Sequence, residues 1–155
     1  MALVAHWPLN GNTNDISGNG LNGTPTNITY SAGKIGQAAV FNGSSSFVQI
    51  DANQYFSNPS ITISGWLKLT GTGAWMMAYK SGTGTYYIYG DTNTMALWTI
   101  YSATGVRSDV SIGALTINTW YHITCLFDAS NGRQAVYKNG ILISEKYDVE
   151  LGFSG

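Results

Sequence analysis

Short alternating runs separated by turn-forming residues constrain this chain more than any other feature. Gly, Asn, Ser and Pro interrupt the sequence so often that few windows could sustain the three-to-four-residue spacing of an amphipathic helix. The runs between them are rich in Val, Ile, Thr and aromatic residues, which favour strands. The predicted strands cover 3–9, 37–41, 46–50, 60–69, 74–80, 85–89, 95–101, 106–110, 119–127, 133–138 and 141–145.

Two of these segments show how the strands pair. In QAVYKNGILIS, Asn139 and Gly140 join two alternating runs, and both residues tolerate the positive φ of a type I′ turn, so we expect a hairpin. In 60–69, apolar residues alternate with polar ones, as in a strand with one buried face. About ten short strands at such spacings predict an all-β fold, a two-sheet antiparallel β-sandwich. The length of 155 residues fits a single domain over 1–155.

Composition excludes several classes of partner. The chain has 7 Lys and Arg residues against 8 Asp and Glu, which is not the charge of a nucleic-acid or anionic-membrane binder. No run is apolar enough for membrane insertion, and the start, MALVAHWPLN, lacks the basic region and the apolar run expected of a signal peptide. The low charge and abundant Ser, Thr and Asn are typical of an extracellular or virion-surface β protein. Cys125, within YHITCLFD, is predicted to be a buried core residue.

Several blocks, in order along the chain, resemble one family. LVAHWPLNGNTNDISGNGLNGT, GKIGQAAVFNGSSSFVQI, ITISGWLKL, NTWYHITCLFD and VYKNGILI resemble the laminin-G-like jelly-roll domains of the concanavalin A-like lectin and glucanase superfamily. The resemblance implies a concanavalin A-like jelly roll, whose members bind glycans, mediate adhesion or catalyse reactions. It also implies a closing strand that VELGFSG begins but does not complete. Strand 3–9 is therefore expected to offer an open edge to a protein partner or a second copy.

The loop NGNTNDISGN is a candidate calcium site. The resemblance implies calcium at this corner, and Ca²⁺ takes six to eight oxygen ligands. Asp15 would be the charged ligand, with Asn10 and Asn12 among the neutral donors. The alternative is that Asp15 and the Asn side chains brace a tight loop through Asx turns.

The acidic residues do not match a glycosidase. The superfamily's glucanases carry paired carboxylates on one strand face, whereas Glu145 and Asp148 are three residues apart and would point to opposite faces. Asp148 and Glu150 share a face but lack the third acid of the glucanase pattern. His6 and His122 have no Ser or Cys motif nearby. We therefore expect no catalytic residues.

The segment 74–101 holds the richest set of aromatic residues with polar neighbours, so it is the predicted ligand-binding region. About half of its aromatic residues are expected to pack the core. Two functions follow: a non-catalytic carbohydrate-binding or adhesion module, calcium-assisted, on a particle or cell surface, or a structural virion protein whose jelly roll makes protein contacts. The predicted ligand-binding residues are Trp75, Tyr86, Tyr89, Asp91, Asn93, Trp98 and Tyr101.

Overall fold

The computed structural model describes residues 2–51, 56, 60–82, 85–102 and 104–149, so the prediction that involves Glu150 lies outside the described residues. The chain divides into two compact units, Met1–Phe56 and Ser57–Gly155. Among the described residues, no helix is long and apolar enough to cross a membrane. The described strands are β1 (Thr24–Thr26), β2 (Thr29–Ala32), β3 (Gln37–Val40), β4 (Phe47–Gln49), β5 (Ile61–Leu67), β6 (Trp75–Lys80), β7 (Tyr86–Gly90), β8 (Ala96–Tyr101), β9 (Arg107–Ser111), β10 (Tyr121–Asp128), β11 (Arg133–Lys138) and β12 (Ile141–Lys146).

The second unit is a two-sheet antiparallel sandwich, which confirms the predicted fold class. One sheet has the order β12-β11-β10-β5 and the other has the order β6-β7-β8-β9. The core between them is built by the inward positions of both sheets, because a strand's side chains alternate between its two faces. Its fully buried members include Ile88, Trp98, Ile100, Val110, Ile123, Cys125, Phe127 and Val136.

Several local predictions in this unit hold. Ile61 and Ile63 pack against the core while Thr62 between them is exposed. Cys125 is buried, and desolvation raises the pKa of its thiol. Asn139 and Gly140 have φ values of 52° and 80°, as the predicted turn requires. This turn is fastened to β10, because the Asn139 side-chain oxygen accepts the His122 N–H at 2.9 Å.

The first unit contains two short antiparallel ladders, β1 with β4 and β2 with β3. The prediction of a strand over 3–9 is wrong, because no strand is assigned there. The loop that follows instead binds the backbone of this segment. The His6 carbonyl accepts the Ile16 N–H, and the Val4 carbonyl accepts a hydrogen bond from the side-chain amide of Asn19. Leu9 also has a φ of 54°, which ends any extended run. The predicted partner or homo-oligomer along strand 3–9 therefore loses its structural basis.

Candidate functional site

The outer surface of the sheet β6-β7-β8-β9 collects tyrosine side chains. Alternation in β7 buries Tyr86 and Ile88 and leaves Tyr87 and Tyr89 half-buried on the opposite side. We call this outer surface the tyrosine face. It consists of Met76 and Tyr79 on β6, Tyr87 and Tyr89 on β7, Tyr101 on β8, and Arg107 and Asp109 on β9.

Tyr87 lies at the centre of the tyrosine face. Its ring is stacked on that of Tyr79, with centroids 4.9 Å apart and planes at 18°. The rings of Tyr89 and Tyr101 meet it edge-on, at 6.2 Å and 5.8 Å. Desolvation is the main cause that raises the pKa of Tyr87, and the neighbouring Tyr79 and Tyr101 raise it further. The Tyr87 hydroxyl therefore stays protonated at neutral pH. Together these rings form an aromatic surface with hydroxyl groups at its edges.

A hydrogen-bonded network borders the aromatic rings. The Arg107 Nε donates to Asp109 Oδ1 at 2.8 Å, and Arg107 Nη2 donates to the Tyr89 hydroxyl at 2.6 Å. The buried Thr99 donates its hydroxyl to the same Asp109 oxygen at 2.6 Å. The hydrogen bond and charge of Asp109 raise the pKa of Arg107 further above its ordinary value. The guanidinium is therefore a permanently charged group held in a fixed orientation.

The strand register aligns these groups in a row across the sheet. Tyr79, Tyr87, Thr99 and Asp109 are successive cross-strand partners on four neighbouring strands. Neighbouring strands lie roughly 4.8 Å apart, so the row spans roughly 14 Å. The tyrosine face is therefore an elongated surface with stacked rings at one end and an ion pair at the other.

Some of the predicted ligand-binding residues lie on one surface of the sheet and others lie in the core. Tyr89 and Tyr101 both lie on the tyrosine face. Tyr86 and Trp98 do not, and their prediction is corrected: their side chains are 6% and 0% exposed. Trp98 also donates its indole N–H to the Leu126 carbonyl at 3.2 Å, across the core. A ligand on the surface cannot reach either ring.

The remaining candidates support the end of the sheet. Trp75 packs against the core, and its indole N–H donates to the Thr92 carbonyl at 3.2 Å. Asn93 exchanges hydrogen bonds with Leu115: its carbonyl accepts the Leu115 N–H at 2.7 Å and its side chain donates back at 3.3 Å. Asp91 is exposed in the same loop. Trp75 and Asn93 therefore make core and loop contacts and are not part of the tyrosine face.

Sequence reasoning missed five members of the tyrosine face: Met76, Tyr79, Tyr87, Arg107 and Asp109. Alternation within TYYIYG contained the signal for Tyr87, since it shares a strand face with Tyr89 and not with Ile88. Arg107 and Asp109 are two residues apart, so a strand over 106–110 also placed them on one face. What the sequence did not contain was the register that brings Arg107 to Tyr89.

Asp15 organises the N-terminal loop of the first unit. Its Oδ1 accepts the N–H groups of His6 and Ser17, at 2.8 Å and 2.9 Å. Its Oδ2 accepts the Ser17 hydroxyl at 2.8 Å and the Leu21 N–H at 3.0 Å. Desolvation acts to raise the pKa of Asp15, but these donors lower it more, so the pKa lies well below its usual range. One carboxylate thus ties together three separate stretches of backbone.

This arrangement does not match what calcium needs from Asp15. A carboxylate has about four acceptor positions, and all four are used here by protein donors. The Asn10 oxygen accepts the Gln37 N–H and the Asn12 oxygen accepts the Asn14 N–H, both within 3.0 Å. Among the described residues, no three His, Cys, Asp or Glu side chains form a group that could hold a metal ion. The geometry favours the alternative of a braced loop.

Comparisons with known proteins place this fold in context. No curated protein matches the chain. The Laminin_G_3 family model, described as the concanavalin A-like lectin/glucanases superfamily, matches residues 41–151. Domain 4 of AbnA, a GH43 extracellular arabinanase from Geobacillus stearothermophilus, solved in complex with arabinotriose, is 24% identical, with 97% of this chain and 78% of that chain covered and a TM-score of 0.72. The carbohydrate binding module CBM66 from Bacillus subtilis is 18% identical, with 84% and 81% covered and a TM-score of 0.50.

Proposed function

Because the chain belongs to the concanavalin A-like lectin/glucanases superfamily, we propose that it is a non-catalytic carbohydrate-binding module whose ligand lies on the tyrosine face. The observation that carries this proposal is the cluster of three tyrosine rings around Tyr87 on an open sheet surface. Two proteins of similar fold support it, since one was solved with arabinotriose and the other is named as a carbohydrate binding module.

The chemistry of the rings suits a sugar. A sugar ring has apolar C–H groups on its faces and hydroxyl groups around its rim, and a tyrosine offers an apolar ring and a polar tip. Tyr79 is 55% exposed, so much of its ring is available to a ligand. The stacking of Tyr79 on Tyr87 holds the two rings in place before binding, which lowers the entropy cost of ordering them.

The acidic side chains support a non-catalytic role. A glycosidase of the usual kind needs two carboxyl groups on either side of the scissile bond. Within the strands β6, β7, β8 and β9, Asp109 is the one described carboxylate, and Arg107 and Thr99 already bind it. Glu145, in the other sheet, accepts a hydrogen bond from Arg133 at 2.8 Å. The described hydrogen bonds of Asp109 and Glu145 come from other side chains. None of them joins either carboxylate to a second carboxyl group that could act as acid or nucleophile.

The proposal extends to location and to the other predicted functions. We place the module outside the cell, where polysaccharides are accessible; the arabinanase of similar fold is described as extracellular. Adhesion to a cell or particle surface would follow from glycan binding. The structural virion role relied partly on an open edge at strand 3–9, and that support is absent because 3–9 is not a strand. Calcium assistance stays a prediction for the assay below.

Binding to a glycan panel, in millimolar calcium and in EDTA, tests the proposal. We expect the unmodified chain to bind and Tyr79→Ala to bind at least about 10-fold more weakly, because stacking on an aromatic side chain is lost. Tyr147→Ala is the matched control: Tyr147 is also 55% exposed but lies outside the tyrosine face, so binding should not change. Equal loss in both variants, or no binding to any glycan, would overturn the proposal. Binding lost in EDTA would establish the calcium prediction.

A further inference from the structure

We infer that the tyrosine face selects uncharged glycans, with Arg107 and Asp109 as the pair that determines this specificity. The inference rests on the proposed function and names the ligand class for the same site. It depends on three features of the described residues: the charge balance of the face, the hydrogen-bonding positions left on the ion pair, and the distance between that pair and the stacked rings.

The charges of the tyrosine face cancel. Within the strands β6, β7, β8 and β9, the charged side chains of described residues are Lys80, Arg107 and Asp109, while Asp91 lies in the loop between β7 and β8. Lys80 pairs across the sheet with the core-facing Tyr86, so it belongs to the row on the inner side. Arg107 and Asp109 are in contact at 2.8 Å on the outer side. An arriving ligand therefore meets a dipole of adjacent opposite charges and not a net positive surface.

Arg107 and Asp109 keep hydrogen-bonding positions that the contact between them does not use. A guanidinium has five N–H groups, and the bonds to Asp109 and Tyr89 use one on Nε and one on Nη2. Asp109 Oδ1 accepts Arg107 and Thr99, whereas no bond from a described residue is assigned to Oδ2. A sugar hydroxyl both donates and accepts, so neighbouring hydroxyls can give a hydrogen bond to Asp109 and take one from Arg107.

An acidic sugar fits this pair poorly. A uronate carboxylate near Arg107 would also approach the carboxylate of Asp109, and like charges a few ångströms apart repel. Its attraction to Arg107 is reduced because Asp109 already neutralises that charge. The side chains of Arg107 and Asp109 are 43% and 33% exposed, so a ligand reaches both groups together. The pair accordingly favours hydroxyl groups over carboxylates.

The separation of Asp109 from Tyr79 sets the length of a ligand that contacts both. Asp109 stands at one end of the row that begins with Tyr79, roughly 14 Å away across four strands. A single sugar cannot contact Tyr79 and Asp109 together, whereas Arg107 reaches back to Tyr89, whose ring lies beside Tyr87. An oligosaccharide lying across the strands can do so, with apolar ring faces on Tyr79 and Tyr87 and hydroxyls at Asp109.

Affinity electrophoresis or calorimetry with two sets of polysaccharides tests the inference. Arabinan, xylan and levan are the uncharged set, and polygalacturonate and alginate are the uronate set. We expect the unmodified chain to bind at least one uncharged polymer about 10-fold or more tightly than either uronate. Asp109→Asn should reduce the ratio of affinities for the uncharged polymer and the uronate. It removes the repulsion between the Asp109 and uronate carboxylates but keeps an oxygen that Thr99 and Arg107 can bind. Arg107→Lys should weaken binding to the uncharged polymer about 10-fold, since a lysine lacks the planar fork.

Asp148→Asn is the matched control, because it removes one exposed carboxylate outside the tyrosine face and should leave the ratio unchanged. Thermal unfolding of each variant separates misfolding from a change in specificity. Equal or tighter binding of a uronate by the unmodified chain, or an unchanged ratio in Asp109→Asn, would overturn this inference but leave glycan binding intact. Failure of every polymer to bind would overturn the proposed function itself.

Discussion

Gln134 connects the core of the sandwich to the ion pair of the tyrosine face, and its replacement by Leu gives a direct test of that connection. Gln134 lies on β11 and is 0% exposed, yet its side chain crosses to the opposite sheet. Its Nε2 donates to the Trp98 carbonyl at 2.8 Å and to the Ser108 carbonyl at 3.3 Å. Its Oε1 accepts the Ser108 hydroxyl at 2.7 Å. Ser108 lies between Arg107 and Asp109 on β9.

The expected cost follows from the groups that lose their partner. Leu has a similar volume, so packing changes little, but it can neither donate to the Trp98 carbonyl nor accept from the Ser108 hydroxyl. Each buried polar group left without a partner costs about 1–3 kcal/mol. Gln134→Leu should therefore lower the free energy of unfolding by roughly 2–4 kcal/mol. Because Ser108 is no longer anchored, the proposed glycan binding by Arg107 and Asp109 should weaken as well.

Urea unfolding followed by circular dichroism measures this effect, with the slope of the transition checked for a change in the unfolded state. Ser108→Ala supplies the second arm of a double-mutant cycle. The double variant should be less destabilised than the sum of the single variants by about 0.5 kcal/mol or more, since Ser108 and Gln134 are partners. A loss below about 1 kcal/mol for Gln134→Leu, or full additivity, would refute the reasoning.

Three further predictions concern other parts of the chain. Because the pKa of Asp15 is lowered from its ordinary 3.8 in the folded state, its contribution to stability is complete above that value and is lost as the pH falls below it; Asp15→Asn should flatten the stability profile in this acidic range, measured by denaturant titration at several pH values. Gly90→Ala should lower the melting temperature, because a Cβ would lie 2.5 Å from the indole nitrogen of Trp75; an unchanged value in calorimetry would contradict this contact. Cys125 should react with a thiol reagent only after unfolding, since it is fully buried and its thiolate is disfavoured.

Local patterns predicted most of the second unit because its strands obey a simple alternation. The turn at Asn139 and Gly140 requires positive φ at both positions, and few residue types other than Asn and Gly adopt it readily. The same alternation distinguishes the buried Tyr86 from the half-buried Tyr87, although composition alone does not. Strand positions and burial were therefore within reach of the sequence wherever a run had one apolar face.

Contacts between distant segments were not predictable in this way. Residues 3–9 have the composition of a strand, but the carboxylate of Asp15 and the loop after it bind their backbone groups, so no second strand is needed to satisfy them. The meeting of Arg107 with Tyr89 likewise depends on the register of β7, β8 and β9, which no single segment encodes. A side-chain acceptor that replaces a neighbouring strand leaves no periodic signal in the sequence.

The structure holds the ion pair of the tyrosine face from both sides of one strand. On the outer side, the buried Thr99 hydroxyl fixes the carboxylate of Asp109. On the inner side, Gln134 fixes Ser108, the residue between the two members of the pair. Among the described strands, β9 lies at the edge of its sheet and pairs with β8 alone, so it has no second neighbouring strand to restrain it. The buried amide of Gln134 supplies that restraint, so a polar group in the core can determine how accurately Arg107 and Asp109 are positioned for the proposed ligand.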